Sequence, residues 1–200
     1  MKRQTLIIML KEPRAGRVKT RLGRDIGMTA AAWWFRHQVR RLLRKIEDPR
    51  WQIVLAVAPD TAAINSRVWP AHLQRVAQGR GDLGARMTRT MAAVTGGPVC
   101  LIGADIPDIN RKRIAHAFAQ LGQNDAVFGP APDGGFWLIG LKRTRPMPPL
   151  LFRNVRWSSA HALADTIATL PDHRTAFCDT LSDVDTIADL NMTLATDRDI

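Results

Sequence analysis

The chain has 200 residues, of which 46% are hydrophobic, and a formal net charge of +11 at pH 7. This length suits one sizeable hydrophobic core and is short for two, so a single domain over residues 1–200 is expected. Residues 1–50 hold 14 Lys and Arg against 4 Asp and Glu, whereas residues 151–200 hold 4 against 8, so the local positive field near the N-terminus is expected to concentrate an anion.

Short apolar runs alternate with segments of helical periodicity along the chain. Seven runs are predicted to be strands, at residues 5–10, 51–58, 73–77, 99–103, 126–129, 136–141 and 175–178. Apolar residues spaced on one helical face predict a helix between the first two runs, and further helices are predicted near residues 60–68, 84–95, 110–121, 158–169 and 186–195. This alternation predicts an α/β fold with a mostly parallel sheet that binds ligands at the carboxyl ends of its strands.

A basic segment follows the first predicted strand and leads toward a helix. It is made pliable by Gly16, and its cationic residues are Lys11, Arg14, Arg17, Lys19 and Arg21. Loops of this kind, at the end of a strand in a parallel sheet, hold phosphate groups. We therefore interpret the segment as a nucleotide-phosphate loop; the alternative is a solvated basic turn.

An acidic residue, Asp105, follows the apolar run 99–103 and precedes Pro107. At the end of a central strand, its carboxylate is expected to lie near the phosphate loop at the end of the first strand. Mg²⁺ binds one or two carboxylates together with phosphate oxygens and waters. Asp105 is thus a candidate metal ligand, and the alternative is a turn or helix-capping acid.

A second pair of acids, Asp183 and Asp185, precedes the last predicted helix. Thr186 and Asp189 have the spacing of a capping box, which would leave Asp185 available for another role. Asp185 is the candidate second metal ligand. Asp183 remains an alternative to it, because a bend between the two residues would change which side chain faces the site.

Six segments together resemble a family of GT-A-type glycosyltransferase-like proteins in the nucleotide-diphospho-sugar transferase superfamily. They occur in a consistent order between about residues 5 and 190, at 10–22, 78–87, 103–107, 129–141, 157–158 and 183–186. The same fold includes phospholactate guanylyltransferase and molybdenum-cofactor guanylyltransferase, and the segment 19–22 is similar to the corresponding loop of the former. The resemblance implies a three-layer α/β/α sandwich of the Rossmann-like GT-A type.

The resemblance also implies roles for particular residues. The catalytic residues would be Lys19, Asp105 and Asp185, with Mg²⁺ or Mn²⁺ bound by the two aspartates. The nucleotide and its phosphates would be bound by Lys11, Arg14, Gly16, Arg17, Lys19, Arg21, Gln78, Gly81 and Asp82, where the loop containing Gln78 reads the base. The acceptor or sugar would be held by Asp133, Gly134 and Gly135.

Three functions follow as hypotheses. The first is metal-dependent glycosyl transfer from a nucleotide sugar to a small-molecule acceptor. The second is guanylyltransferase-like nucleotidyl transfer, which joins a nucleoside monophosphate from a nucleoside triphosphate to a phosphorylated acceptor. The third is a non-catalytic nucleic-acid-binding module that uses a basic ridge of Arg36, Arg40 and Arg44, with Arg41 and Lys45 beside them. No aromatic residue is interleaved on that ridge, so a nucleic-acid partner is not expected.

Location and redox state are also constrained. The first apolar run is about half the length of a membrane span and lacks a signal-peptide cleavage site, which predicts a cytoplasmic protein without a membrane span. Cys100 and Cys178 have no metal-ligand or redox spacing partner and are expected to be buried free thiols. The oligomeric state is left open.

Overall fold

The computed structural model describes residues 3–94, 96–144 and 146–196, in which strands and helices alternate. The strands are β1 (Gln4–Lys11), β2 (Trp51–Ala58), β3 (Gln74–Ala77), β4 (Val99–Gly103), β5 (Ala126–Pro130), β6 (Phe136–Leu141) and β7 (Thr175–Phe177). The helices are α1 (Thr20–Ile26), α2 (Met28–Ile46), α3 (Asp60–Asn65), α4 (Leu83–Ala93), α5 (Arg111–Gln120), α6 (Ala162–Ala168) and α7 (Ile187–Thr196).

The strands form one sheet in the order β3-β2-β1-β4-β6-β5-β7. Among them β6 runs antiparallel to both of its neighbours, and the other pairs are parallel. The chain moves outward from β1 through β2 and β3 and then returns to β4 on the other side of β1. In open α/β sheets, ligands bind where the strand order reverses in this way. A ligand site is therefore expected at the carboxyl ends of β1 and β4.

Helices cover both faces of the sheet because successive side chains of a buried parallel strand point to opposite faces. In β1, Leu6 and Ile8 pack with α2, α3 and α5, whereas Ile7 packs with α4 and α6. All three side chains are fully buried. The predicted mostly parallel α/β/α sandwich is therefore confirmed.

All seven predicted strands are confirmed to within one residue at either end. The predicted helix 60–68 ends earlier, at Asn65. The predicted helix 158–169 begins later, at Ala162. Ser158 cannot be its first residue, because it has a left-handed backbone (φ 57°) that interrupts a helix. Residue 95, at the end of predicted helix 84–95, lies outside the described residues. In the basic segment 10–22, Leu10 and Lys11 still belong to β1, residues 12–19 form the loop, and α1 begins at Thr20.

The remaining expectations concern surfaces and thiols. In the described part of the chain, the helices are too short or too polar to cross a membrane. Both cysteines are free thiols, but only Cys100 is buried, since Cys178 is partly exposed.

The basic ridge of α2 does have an aromatic neighbour: Trp33 is 55% exposed, and the Arg36 guanidinium lies 5.7 Å from its ring centre. The sequence analysis missed it because Trp33 precedes the ridge instead of alternating with its arginines.

Candidate active site

Three aspartates meet at the carboxyl end of β4. Asp105 lies two residues beyond this strand, and the segment before α7 brings Asp183 and Asp185 beside it. A backbone hydrogen bond fixes this approach, since the N–H of Val184 donates to the carbonyl of Asp105 over 3.2 Å. One carboxylate oxygen from each aspartate lies within 4.8 Å of those of the other two. We call these three residues the carboxylate triad.

The side chain of Lys19 points into the carboxylate triad. Its Nζ lies 2.6 Å from Asp105 Oδ2, 2.7 Å from Asp185 Oδ1 and 3.6 Å from Asp183 Oδ2. Only 5% of the side chain is exposed. Lys19 directly precedes α1 and has a left-handed backbone (φ 45°), which non-glycine residues rarely adopt. Lys19 therefore has a strained backbone conformation, and it is the residue whose ammonium contacts the three carboxylates.

The charges in this cluster shift the pKa values of its members. Burial alone would lower the pKa of the Lys19 ammonium, but the charge of Asp105 and hydrogen bonds to Asp105 and Asp185 outweigh it and raise the pKa. Burial raises the pKa of the Asp183 carboxyl to about 6; Lys19 opposes this, and the neighbouring carboxylates of Asp105, Asp185 and Asp133 add to it. At neutral pH the cluster thus holds more negative charge than Lys19 balances.

The predicted capping box explains why Asp185 faces this cluster. Asp189 Oδ2 accepts hydrogen bonds from the backbone N–H groups of Asp185 and Thr186, over 3.0 and 2.7 Å. The Thr186 hydroxyl in turn accepts from the Asp189 N–H over 3.3 Å. Because these residues begin α7, Asp185 is not needed as a cap, and its carboxylate binds Lys19 and, over 3.2 Å, Arg21.

The raised pKa of Asp183 predicts a pH-dependent stability. A carboxyl whose pKa is higher in the folded than in the unfolded chain contributes less stability as the pH rises from about 4 through about 6. Asp183→Asn mimics the protonated form, so with a metal chelator present it should unfold at a higher temperature than the parent at pH 8 and at a similar temperature at pH 4. Thermal unfolding across this range tests it, with Asp172→Asn, at an exposed carboxylate elsewhere, as the control. A variant no more stable than the parent at pH 8 would contradict the pKa assignment.

A basic cleft of about 920 Å³ lies between the carboxyl ends of β1, β2 and β3, and the triad residues do not line it. Two acidic side chains, Glu12 and Asp60, also line it, and Glu12 pairs with Arg14 over 2.9 Å. Gly16 forms part of its rim with φ 74°, a conformation that glycine adopts without strain. The basic lining residues are Lys11, Arg14, Arg17, Arg80 and Arg86. The last two were not singled out by the sequence analysis, although both lie in the segment 78–87 that carried the resemblance.

A central cleft of about 620 Å³ connects the basic cleft to the triad. It contains Gln78, Gly81 and Asp82, which the resemblance assigned to nucleotide binding. The Gln78 amide donates both of its N–H groups, to the carbonyls of Leu10 and Ala56 over 3.0 and 2.8 Å, so at most its carbonyl oxygen is left for a base. Asp82 caps α4 by accepting from the N–H of Ala85. Both side chains thus have structural roles, and their nucleotide contacts stay predictions.

A third cavity, of about 290 Å³, lies on the other side of the triad, and we call it the apolar pocket. Asp105 and Asp183 line its edge, and Asp133 and Gly135 line it at the turn between β5 and β6. Gly134 instead supports the turn: it has φ 84°, and a Cβ there would collide with the carbonyl of Ala160. The apolar lining of the pocket was not predicted, because Met87 and Phe136 have the pattern of ordinary core residues and the packing interpretation of Trp157 was preferred to stacking on a base or sugar.

The three cavities adjoin one another in series, and we call them together the groove. The basic and central clefts share Lys11 and Gly81, and the central cleft and apolar pocket share Gly103 and Asp105. The triad therefore separates a basic half of the groove from an apolar, acidic half. Hard oxygen ligands clustered in this way suit Mg²⁺ or Mn²⁺, so the three carboxylates fit a divalent cation, which would compete with the Lys19 ammonium for Asp105 and Asp185.

The solved structures that resemble this chain include the following three. A protein provisionally described as a nucleotide-diphospho-sugar transferase, from Desulfovibrio desulfuricans G20, has 30% sequence identity and a TM-score of 0.88, with 98% of this chain and 88% of that chain covered. The 4-diphosphocytidyl-2C-methyl-D-erythritol synthase of Anaerococcus prevotii DSM 20548 has 10% identity and a TM-score of 0.63, with 98% and 99% covered. The glucosyl-3-phosphoglycerate synthase of Mycobacterium tuberculosis, in complex with Mn²⁺, UDP and glucosyl-3-phosphoglycerate, has 9% identity and a TM-score of 0.55, with 97% and 76% covered.

The likeness at 30% identity confirms the predicted Rossmann-like fold of nucleotide-diphospho-sugar transferases and the predicted superfamily. The two likenesses at about 10% identity show the fold alone, and the predicted relation to the guanylyltransferases stays a prediction. No protein of curated function matches the sequence. A family profile does match, over residues 42–159, and its description is "uncharacterized protein conserved in bacteria". The chain therefore belongs to this family of bacterial proteins, DUF2064.

Proposed function

We propose that this protein is a divalent-metal-dependent transferase that uses a nucleotide-activated donor, and that the group transferred is a sugar. The proposal rests on one observation, the single groove in which the carboxylate triad separates the basic cleft from the apolar pocket. A donor with a diphosphate needs positive charge on one side of the reacting bond, and an acceptor needs a separate pocket on the other. The likeness to a protein provisionally described as a nucleotide-diphospho-sugar transferase supports the same reaction class.

The basic cleft would hold the nucleotide part of the donor. Its five cationic side chains come from the end of β1, the loop after it, the segment after β3 and α4, and Arg17 and Arg80 are exposed. Arginine binds phosphate oxygens in pairs, and lysine attracts them as a point charge. With a volume of about 920 Å³, the cleft is large enough for a nucleotide.

The carboxylate triad would hold Mg²⁺ or Mn²⁺, with Asp105 and Asp185 as ligands and Asp183 as a third carboxylate in reach. When bound, a divalent cation stabilises the negative charge that develops on a departing diphosphate. Lys19 contacts Asp105 and lines the central cleft. Its ammonium would therefore add positive charge close to the diphosphate of the donor. A glucosyl-3-phosphoglycerate synthase of similar fold was solved in complex with Mn²⁺ and UDP, which supports a metal ion and a nucleotide as ligands in this proposal.

In the reaction, a hydroxyl oxygen of the acceptor in the apolar pocket would attack the anomeric carbon of the donor. The bond from that carbon to the diphosphate oxygen breaks, and its electron pair leaves with the nucleoside diphosphate. The hydroxyl proton passes to a carboxylate at the edge of the pocket. The groove orients the two substrates across the triad, which lowers the entropic cost of their encounter.

Nucleotidyl transfer is the second candidate, because five cations in the basic cleft suit a triphosphate as well as a diphosphate. Its products differ: nucleotidyl transfer releases pyrophosphate, whereas glycosyl transfer releases a nucleoside diphosphate. Detecting which of these accumulates distinguishes the two reactions. Phospholactate guanylyltransferase, whose corresponding loop segment 19–22 resembles, is an example of an enzyme that carries out nucleotidyl transfer.

A thermal-shift screen of nucleoside diphosphates, nucleotide sugars and nucleoside triphosphates, with and without Mn²⁺ or Mg²⁺, tests the proposal. A ligand at about 100 times its Kd stabilises the folded state by about 2.7 kcal/mol, which raises the Tm by roughly 5 to 10 °C for a chain of this size. We expect a shift of this kind with divalent metal for at least one nucleotide. No shift with any of them would contradict the proposal.

The double variant Arg17→Ala/Arg80→Ala tests the assignment of the basic cleft. It should weaken binding of the best nucleoside diphosphate by about 10- to 100-fold at low salt, and less at high salt, because exposed charges are screened. Arg24→Ala/Arg67→Ala, at two exposed arginines that do not line the cleft, removes the same net charge and serves as the control. Equal weakening in both variants would show that the effect comes from net charge alone.

A further inference from the structure

The apolar pocket differs in charge from the rest of the groove, although it opens onto the same triad. Its charged lining residues, within the described part of the chain, are Asp105, Asp133 and Asp183, and it contains no Lys or Arg. The basic cleft, in contrast, is lined by five cationic and two acidic side chains, so its lining has a net positive charge. The two halves of the groove are therefore built for ligands of different charge.

The wall of the pocket is formed by apolar and aromatic side chains. Met9 and Leu101 come from the sheet, Met87 from α4, Phe136 from β6, and Trp157 from the turn before α6. The rings of Phe136 and Trp157 meet edge to face, with centres 6.3 Å apart. Phe136 and Trp157 are partly buried, so part of each is available to a ligand. Such a wall suits the apolar ring or chain of a small molecule.

A bound divalent cation would not reverse the sign of the charge here. Together with Lys19 it would offset three of the four carboxylates of Asp105, Asp133, Asp183 and Asp185. The diphosphate of the donor would add negative charge at the same point. An acceptor that itself carried a phosphate or carboxylate in this pocket would be repelled, and like charges placed together cost binding energy.

From this pocket we infer that the acceptor is a non-anionic alcohol with an apolar ring or chain. This inference rests on the proposed function and narrows it. The hydroxyl group would lie at the edge of the pocket, where Asp105 and Asp183 accept hydrogen bonds, and the apolar part would lie against Phe136 and Trp157. A phosphorylated acceptor, which nucleotidyl transfer would require, does not fit the negative charge of the apolar pocket.

Two matched probes, benzyl alcohol and benzyl phosphate, test the inference. Saturation-transfer NMR on the whole protein, loaded with Mg²⁺ and the nucleoside diphosphate that gives the largest thermal shift, measures the affinity of each. We expect the alcohol to bind at least about tenfold more tightly than the phosphate. Equal or tighter binding of the phosphate, or no binding of either probe, would overturn the inference.

The variant Asp133→Lys tests whether the negative charge of the apolar pocket causes the preference for benzyl alcohol over benzyl phosphate. Its side chain lies on an exposed turn, and reversing its charge should improve the relative affinity for benzyl phosphate by about tenfold. Asp172→Lys makes the same change of net charge at an exposed residue that does not line the pocket, and it should leave the preference unchanged. An equal change in both variants would overturn the inference. Failure of the parent to bind any nucleotide is a separate result, which would overturn the proposed function.

Discussion

Replacing Asp105 with Asn should remove the metal dependence of nucleotide binding. Asp105 supplies one of three carboxylates whose ligand oxygens lie within 4.8 Å of each other, and an amide is a much weaker ligand for a hard divalent cation. Changes to residues that only support a metal ligand cost about 10- to 100-fold in affinity, so loss of a ligand should cost more than about 100-fold. Calorimetric titration of a nucleoside diphosphate in the presence and absence of Mn²⁺ measures this.

The fold of the Asp105→Asn protein should remain intact. The backbone carbonyl that accepts from Val184 is unchanged, and Lys19 keeps its 2.7 Å contact with Asp185. Asp108→Asn is the matched control, because Asp108 is an exposed aspartate three residues further along the same loop and does not belong to the triad. If Asp105→Asn binds nucleotide with the same metal dependence as Asp108→Asn, Asp105 is not a metal ligand.

Replacing Lys19 with Met should have opposite effects on metal and on phosphate. The ammonium and a divalent cation are attracted to the same carboxylates, so without nucleotide the variant should bind Mn²⁺ about tenfold more tightly than the parent. It should bind a nucleoside diphosphate about tenfold less tightly, because one cation in the central cleft is lost. Titration of Mn²⁺ followed by electron paramagnetic resonance measures the first effect, and calorimetry the second.

The same variant should be less stable when metal is absent. Breaking a buried ion pair costs about 3 to 5 kcal/mol, but the three carboxylates here are 29% to 46% exposed, and water screens part of the repulsion. A loss of about 1 to 3 kcal/mol, or about 5 °C in Tm, is therefore expected, and Mn²⁺ should restore it. Lys112→Met, at an exposed lysine of α5, is the control. A weaker affinity of Lys19→Met for Mn²⁺ would show that Lys19 does not compete with the metal.

Much of the fold was predictable because its signals are local. Each strand is a short apolar run, and the alternation of strands with helices allows few arrangements other than a parallel sheet. The approach of Lys19 to Asp105 also followed from the sequence, since both lie just beyond the carboxyl ends of strands in such a sheet. The capping box of Thr186 and Asp189 correctly left Asp185 available to face them.

Other features depend on contacts that the sequence does not encode locally. The sequence analysis assigned Arg17, Lys19 and Arg21 to one phosphate loop, whereas in the folded chain Lys19 and Arg21 contact Asp185 and Arg17 lines the basic cleft. The side chain of Gln78 holds two strands together, which no pattern around it indicates. The apolar pocket combines residues from the sheet, from α4 and from the turn before α6, so its charge and shape appear only once the chain is folded.

The central claim is that the carboxylate triad holds a divalent cation between a nucleotide and an acceptor. Anomalous diffraction at the manganese absorption edge, from crystals grown with Mn²⁺ and the nucleoside diphosphate that binds best, tests it most directly. We expect the anomalous peak within about 2.0 to 2.3 Å of carboxylate oxygens of Asp105 and Asp185, with the nucleotide in the basic cleft. A peak away from these carboxylates, or a nucleotide bound in the apolar pocket instead, would contradict the claim.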